Sequence, residues 1–260
     1  METHYNIQSI PRSRIATFDV FAVGMERHHV SALLEFDVTG RRNQLQGMRR
    51  GGVNISFNGW LIKTIADVLY QHREAAAYRS GKKRLILFDD INISVIIEKQ
   101  IGNSRVPIPL VIIKANEKSA EQITREIEKA RQSDFSENDI VLDKKSSSLE
   151  RLYYHLPGFL RRSVWRYLLR HPHQTYSKMG NVAITSVGVA GRINGWFIHR
   201  SVHPVSFGVG SVLKKPFICG DEIKIREILN MTILIDHDVI DGAQMVRLLN
   251  DLTREVENGV

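Results

Sequence analysis

The stretch MTILIDHDVIDG (Met231 to Gly242) constrains this chain more than any other. Met231 to Ile235 is an apolar run of strand length, Gly242 permits a tight turn, and Ala243 to Val256 sets Val246, Leu249, Leu252 and Val256 on one face of a helix. A strand that turns directly into an amphipathic helix calls for helix packed on sheet. His237 sits at the junction, held from both sides. A neutral imidazole in apolar surroundings is suited to act as general base toward a thiol or hydroxyl near neutral pH. Taken alone, the hexapeptide from His237 is equally a partly buried histidine bonded to its own turn.

Elsewhere strands and helices alternate. Leu33 to Thr39 alternates as a strand with Leu34, Phe36 and Val38 on one face, and a polar, glycine-containing loop follows. Asn58 is placed to cap a helix carrying Leu61, Ile65, Val68 and Leu69 at helical spacing. Arg84 to Phe88, Ile91 to Ile97 and Ile108 to Ile113 are strand candidates, with a turn-like IGNSR between the last two. Ser119 and Gln122 form a capping box ahead of Ile123 and Ile127. The alternation predicts an α/β layered fold. Asp134 to Ser148 is the most linker-like segment, and no internal repeat is evident.

With 260 residues, 43% hydrophobic and 25% charged, the chain has enough apolar material for one large core. No apolar run reaches the roughly 18 residues of a membrane span, and the amino terminus lacks a secretory signal core. One cysteine, Cys219, excludes an internal disulfide and a cysteine zinc cluster, so the default expectation is a cytoplasmic protein. A formal charge of +8 suits nucleic acid, anionic lipid or a phosphorylated ligand. The Lys and Arg residues follow no nucleic-acid motif, and no nucleic-acid partner is expected. His28-His29 lacks further ligands at metal spacing, so no metal is expected either.

Several segments in order resemble the catalytic domain of the 2-oxo acid dehydrogenase acyltransferases, the dihydrolipoamide acyltransferase cores. ILIDHDVIDGAQMVRLLNDL is similar to their terminal motif, and GNVAITSVGVAG (Gly180 to Gly191) to their strand with a hydroxyl residue before a glycine. GVGSVLKKP (Gly208 to Pro216), SFNGWLIKTIADVL, DDINISVII and ANEKSAEQITREI fall in the same order. The resemblance covers roughly four fifths of the chain, Ile10 to Val256, and extends to one domain over 1–260. It implies a chloramphenicol acetyltransferase-like two-layer sandwich, a mixed sheet with packed helices, assembled as a homotrimer with the active site between subunits.

The resemblance also assigns roles. His237 takes the catalytic histidine's place, removing a proton from a thiol so that the thiolate attacks a thioester carbonyl. Thr185, 52 residues earlier, takes the place of the hydroxyl residue that stabilises the oxyanion, with threonine for the commoner serine. Without the alignment, Thr185 reads as a strand threonine. Asp241 supports the site's geometry, with Gly242 beside it and Arg12 as its candidate ion-pair partner. Gly208 and Gly210 are candidates for close approach to coenzyme A, and Lys214 and Lys215 for its phosphates. Strand glycines also mark bulges, and paired lysines usually sit in water.

Departures from the family pattern accompany the match. Asp238 replaces the usual basic residue after the histidine, and Gly59-Trp60 is atypical of the early helix. Leu149 to Pro172 reads as a helical insertion, with Leu160, Val164 and Leu168 set against Arg162, Arg166 and Arg170. A stripe packed on the core is the plain interpretation, contact of residues 158–170 with an anionic membrane surface or a partner protein the sharper one, and lining of the acyl pocket or coenzyme entrance a third. No lipoyl or subunit-binding domain is seen ahead of the match, so a lipoyl group is expected on another chain. The expected activity is acyl transfer between coenzyme A and a thiol, with dihydrolipoyl as the expected acceptor. Transfer to a small-molecule hydroxyl or amine, and a catalytically silent trimeric scaffold, are the alternatives.

Overall fold

Six strands form one mixed sheet in the order β1-β8-β7-β6-β4-β5. The computed structural model describes residues 4–8, 10, 12–81, 83–101, 104–132, 153–186, 191 and 193–257. Along the chain run α1 (Arg12–Gly24), β1 (His29–Asp37), α2 (Thr39–Arg50), α3 (Phe57–Gln71), β2 (Tyr78–Ser80), β3 (Arg84–Ile86), β4 (Ile93–Ile101), β5 (Ser104–Ile112) and α4 (Ala120–Gln132). Then follow α5 (Gly158–Leu169), α6 (Pro172–Met179), β6 (Val182–Ser186), β7 (Val205–Cys219), β8 (Glu222–Asp236) and α7 (Gly242–Glu257). β6 is parallel to β4 and β7, and the other pairs are antiparallel. β2 and β3 form a separate ribbon.

Period-two alternation decides which residues reach the core. Phe36, Ile93, Ile184, Phe207, Ile233 and Ile235 point to the face covered by α3, α4 and α7, where Leu61, Ile65, Ile123, Leu248 and Leu252 meet them. Each such side chain contributes about 1.5–3 kcal/mol on burial. The opposite face of β7 and β8 is covered by residues 193–204, a strap without regular secondary structure. Side chains and backbone tie it down: Trp196 donates to the Leu34 carbonyl (3.0 Å), Asn230 to the Gly195 carbonyl (3.3 Å), and Ile193 N–H to Ser211 Oγ (3.1 Å). Beyond the last partners on β1 and β6, β7 and β8 continue as a two-stranded arm, with Ile218, Ile223 and Ile225 exposed.

The expected layering is present, with local corrections. The stretch after β1 is the helix α2: Asp37 accepts from Thr39 N–H and Oγ–H (3.0 and 2.6 Å) at its start, while two glycines disguise it as loop in the sequence. Ser56, not Asn58, caps α3, accepting from Gly59 N–H at 3.0 Å. The Ser119–Gln122 capping box closes reciprocally at 2.8 and 3.1 Å. In α7, Met245, Leu248, Leu252 and Val256 face the core, and Val246 is 57% exposed, so the buried stripe is rotated from the expected one. In α5 the expected apolar stripe turns largely outward: Leu160 and Val164 are exposed, while Trp165 is buried and Arg161 bonds to buried Asp19 of α1 at 2.7 Å. A buried ion pair, invisible to a hydrophobicity pattern, sets that helix's rotation. Residues 134–148, the start of the helical insertion (149–152) and 187–190 of the strand motif lie outside the described residues.

Candidate active site

β8 ends at Asp236, and its carboxylate organises the turn that carries His237. The Asp236 side chain is fully buried, meets Arg27 Nη1 at 3.0 Å and accepts from Asp238 N–H at 3.1 Å. Its backbone carbonyl accepts from Val239 N–H at 3.0 Å, and His237 N–H donates to the His28 carbonyl at 3.0 Å. Val239 and Ile240 are buried and anchor the far side of the turn. His237 is exposed, and its imidazole has no hydrogen bond among the described residues. The backbone is therefore fixed and the ring left available.

Asp238 meets His28 Nδ1 at 3.1 Å and Arg79 Nη1, and the His28 hydrogen bond, with the Arg79 charge, holds its carboxyl below the usual carboxylate range. Behind the turn, His29 donates through Nε2 to the His203 carbonyl (2.9 Å), and His203 through Nε2 to the Met179 carbonyl (3.0 Å). Burial lowers the pKa of His29, and pushes His203 and His199 down to about 4. Sequence reasoning missed Arg27, Asp236 and these two strap histidines. The only signal was an arginine beside His28-His29 and a carboxylate next to His237.

Thr185 lies half-buried on β6, opposite Gly208 of β7, which in turn faces Thr232 of β8. Two inter-strand spacings and five residues of rise separate Thr185 from His237, roughly 19 Å between backbones. A base must come within hydrogen-bond reach of its proton, so one chain alone does not assemble this pair. Asp241 N-caps α7 in a capping box with Gln244, accepting at 3.3 Å and donating at 3.2 Å. Arg12 begins α1, but its side chain lies outside the described residues, as does the expected pairing with Asp241. Gly242 has no positive φ and open space where a Cβ would stand, so the turn does not require glycine there.

The four coenzyme candidates differ in availability. A Cβ on Gly208 would meet His199 Nδ1 at 2.8 Å, and one on Gly210 the Asn230 carbonyl at 2.7 Å, so this chain itself fills both close approaches. Lys215 is bonded to Glu35 at 2.6 Å, while Lys214 is exposed without a side-chain partner among the described residues. An apolar cavity of about 130 Å³ between α3, α4 and the sheet is lined by Leu61, Ile127, Ile184 and Ser186, on the helix side and away from the Thr185 side chain. No group of three or more His, Cys, Asp or Glu residues is placed to hold a metal among the described residues.

Sheet order and helix layer define a chloramphenicol acetyltransferase-like fold. A chloramphenicol acetyltransferase superposes with a TM-score of 0.54 at 11% identity, over 99% of this chain and 100% of that one. A probable dihydrolipoamide acetyltransferase from Listeria monocytogenes superposes with a TM-score of 0.70 at 22% identity, covering 98% and 95% of the two chains. Residues 175–259 match the family model of the 2-oxoacid dehydrogenases acyltransferase (catalytic domain). The chain is similar to that family over this stretch. The acetyltransferase component of the Rickettsia prowazekii pyruvate dehydrogenase complex is 24% identical over 79% of this chain and 41% of its own length. The match spans less than half the length of that protein and of four further curated relatives. For dihydrolipoamide acetyltransferase of Azotobacter vinelandii (TM-score 0.68, 18% identity, 96% and 91% covered), a serine, a histidine 52 residues later and an asparagine 4 beyond that have been investigated in the catalytic mechanism.

Proposed function

We propose that this chain is a coenzyme A-dependent acyltransferase, moving an acyl group between coenzyme A and a dihydrolipoyl thiol carried by another chain, in the cytoplasm. One observation carries the reading. His237 is presented on a hydrogen-bonded backbone, its imidazole without a hydrogen bond among the described residues and out of reach of its own Thr185, at the same 52-residue spacing as the serine and histidine of the Azotobacter enzyme. Such a pair works if His237 of one protomer faces Thr185 of the next, which supports a homotrimer in which both groups meet.

In this mechanism His237 removes the thiol proton, and the thiolate sulfur attacks the thioester carbonyl carbon. The carbonyl oxygen becomes an oxyanion that accepts from Thr185 Oγ–H. Collapse breaks the original C–S bond, and the departing thiolate takes the proton back from the imidazolium. Asp241 acts through the backbone by capping α7 behind the turn, and Asp236 with Arg27 holds the strand end. Of the coenzyme candidates, Lys214 is exposed and its ammonium, unpaired among the described residues, is suited to a phosphate.

The test is release of coenzyme A from acyl-coenzyme A with dihydrolipoamide as acceptor. Wild type should turn over, and His237→Ala and Thr185→Ala should lose most of it while staying folded. Coexpressing the two variants in equal amounts should restore about a quarter of wild-type activity, since a site is intact when its two neighbours come from different variants in the right order. No recovery, with mixed assemblies demonstrated, rules out a shared site. Turnover that needs another acceptor, or none at all with coenzyme A still bound, would favour the small-molecule or scaffold alternative.

A further inference from the structure

We propose that the outer face of α1 and α5 is a docking surface for an anionic lipid bilayer. The face is independent of the acyl-transfer chemistry and draws on residues that the mechanism does not use. Two ion pairs, Arg161 with buried Asp19 at 2.7 Å and the more exposed Arg166 with Glu26, just past the end of α1, at 2.5 Å, show the helices side by side and in the same chain direction. Ala16, Asp19 and Val23 of α1 and Trp165 of α5 are consumed in that packing. With 3.6 residues per turn, this rotation leaves Phe18, Phe21 and Met25, and on the neighbouring helix Phe159 and Tyr167, on the sides turned away from the packing. Those five side chains are 50%, 46%, 66%, 62% and 59% exposed. Helices that are apolar on the side away from their packing partner need a further apolar contact.

Charge decides which contact. Arg162 of α5, Arg170 at its C-cap and Arg14 of α1 have no acidic partners among the described residues, whereas Asp19 and Glu26 are already neutralised by Arg161 and Arg166. An isologous contact between two copies would bring the same uncompensated guanidinium groups against one another, which opposes self-docking. Aromatic rings and a methionine flanked by arginines fit the boundary between headgroups and acyl chains, where rings enter the apolar edge and guanidinium groups meet phosphates. No helix among the described residues is long and apolar enough to cross a membrane, so the contact is peripheral.

The experiment is sedimentation of the full chain with vesicles of phosphatidylcholine alone, or of phosphatidylcholine and phosphatidylglycerol in equal parts, at low and high salt. Wild type should partition onto the anionic vesicles, weakly onto neutral ones, and less as salt rises. Arg162→Glu/Arg170→Glu should weaken partition at least about 30-fold, from the loss of two cation contacts with an anionic surface. Phe18→Ser/Phe159→Ser should weaken it as well while coenzyme A release and the circular dichroism spectrum stay at wild-type level. Equal partition of both variants and wild type overturns the proposal, as does a wild type that ignores anionic vesicles. A wild type that instead self-associates through Phe18 and Phe159 in ultracentrifugation also overturns it and assigns the face to a second copy.

Discussion

Replacing Arg27 by methionine isolates what holds the His237 turn. Asp236 is fully buried, and Arg27, 15% exposed, is its charged hydrogen-bond partner among the described residues. Methionine fills much of the arginine stem's volume but removes the charge, leaving a buried carboxylate with the Asp238 N–H at 3.1 Å as its remaining side-chain bond. Breaking one side of a buried ion pair costs about 3–5 kcal/mol, a large part of a typical domain's stability. Asp236→Asn is expected to cost less, about 2 kcal/mol, because an amide oxygen still accepts from Asp238 and Arg27 reaches water. The double variant should be more stable than the sum of the single losses by at least about 1 kcal/mol. Urea unfolding at one fixed protein concentration measures all three. An Arg27→Met variant within about 0.5 kcal/mol of wild type, or losses that simply add, would refute the reasoning.

Acid should destabilise the fold: His203 and His199 titrate near 4 when folded and near 6.5 when unfolded, so between these values the unfolded chain binds more protons. Stability is complete above about 6.5 and is lost toward pH 4, by about 3 kcal/mol for His203, and His203→Gln should flatten that slope; parallel slopes would argue otherwise. Thr185→Val should lower turnover about 10²- to 10³-fold with little change in KM, while Thr185→Ser retains activity. Gly180, at φ +73° and against the Asn92 carbonyl, should tolerate no side chain, and Gly180→Ala should cost at least about 2 kcal/mol in thermal or urea unfolding. Ser119→Ala should cost about 1 kcal/mol by removing one half of the α4 capping box, measured the same way.

Legibility from sequence followed the range of the interaction involved. The capping box of α4, the strand face bearing Leu34 and Phe36, and the end of β8 at His237 depend on neighbours a few residues apart, and periodicity displays them. The rotation of α5 depends on Arg161 reaching Asp19, 142 residues away, and the turn at His237 depends on Arg27, 209 residues from Asp236. No local pattern contains such pairs. The strap over β7 and β8 was hidden for a different reason. It has no periodic signal, being held through the Leu34 and Gly195 carbonyls and Ser211, so its residues read as loop until the sheet beneath them is placed.

The distance between His237 and Thr185 ties the proposed chemistry to assembly more tightly than either residue alone. Each group is positioned by its own chain: the base by the Arg27–Asp236 pair and the His28 carbonyl, the hydroxyl by the register of β6 on β7. Roughly 19 Å of sheet between them cannot close without breaking strand pairing, so a folded monomer keeps both parts and brings neither to the other. The exposed isoleucines at the tip of the β7–β8 arm, 72–77% accessible, give the chain an apolar reason to associate that is separate from the site. Activity under the proposed mechanism should then depend on protein concentration where folding does not. On dilution, specific activity should fall as the assembly dissociates, while far-ultraviolet circular dichroism stays constant until the monomer itself unfolds. Constant specific activity through dissociation to monomers would refute the shared site, because it would require a base and an oxyanion donor within reach in a single chain.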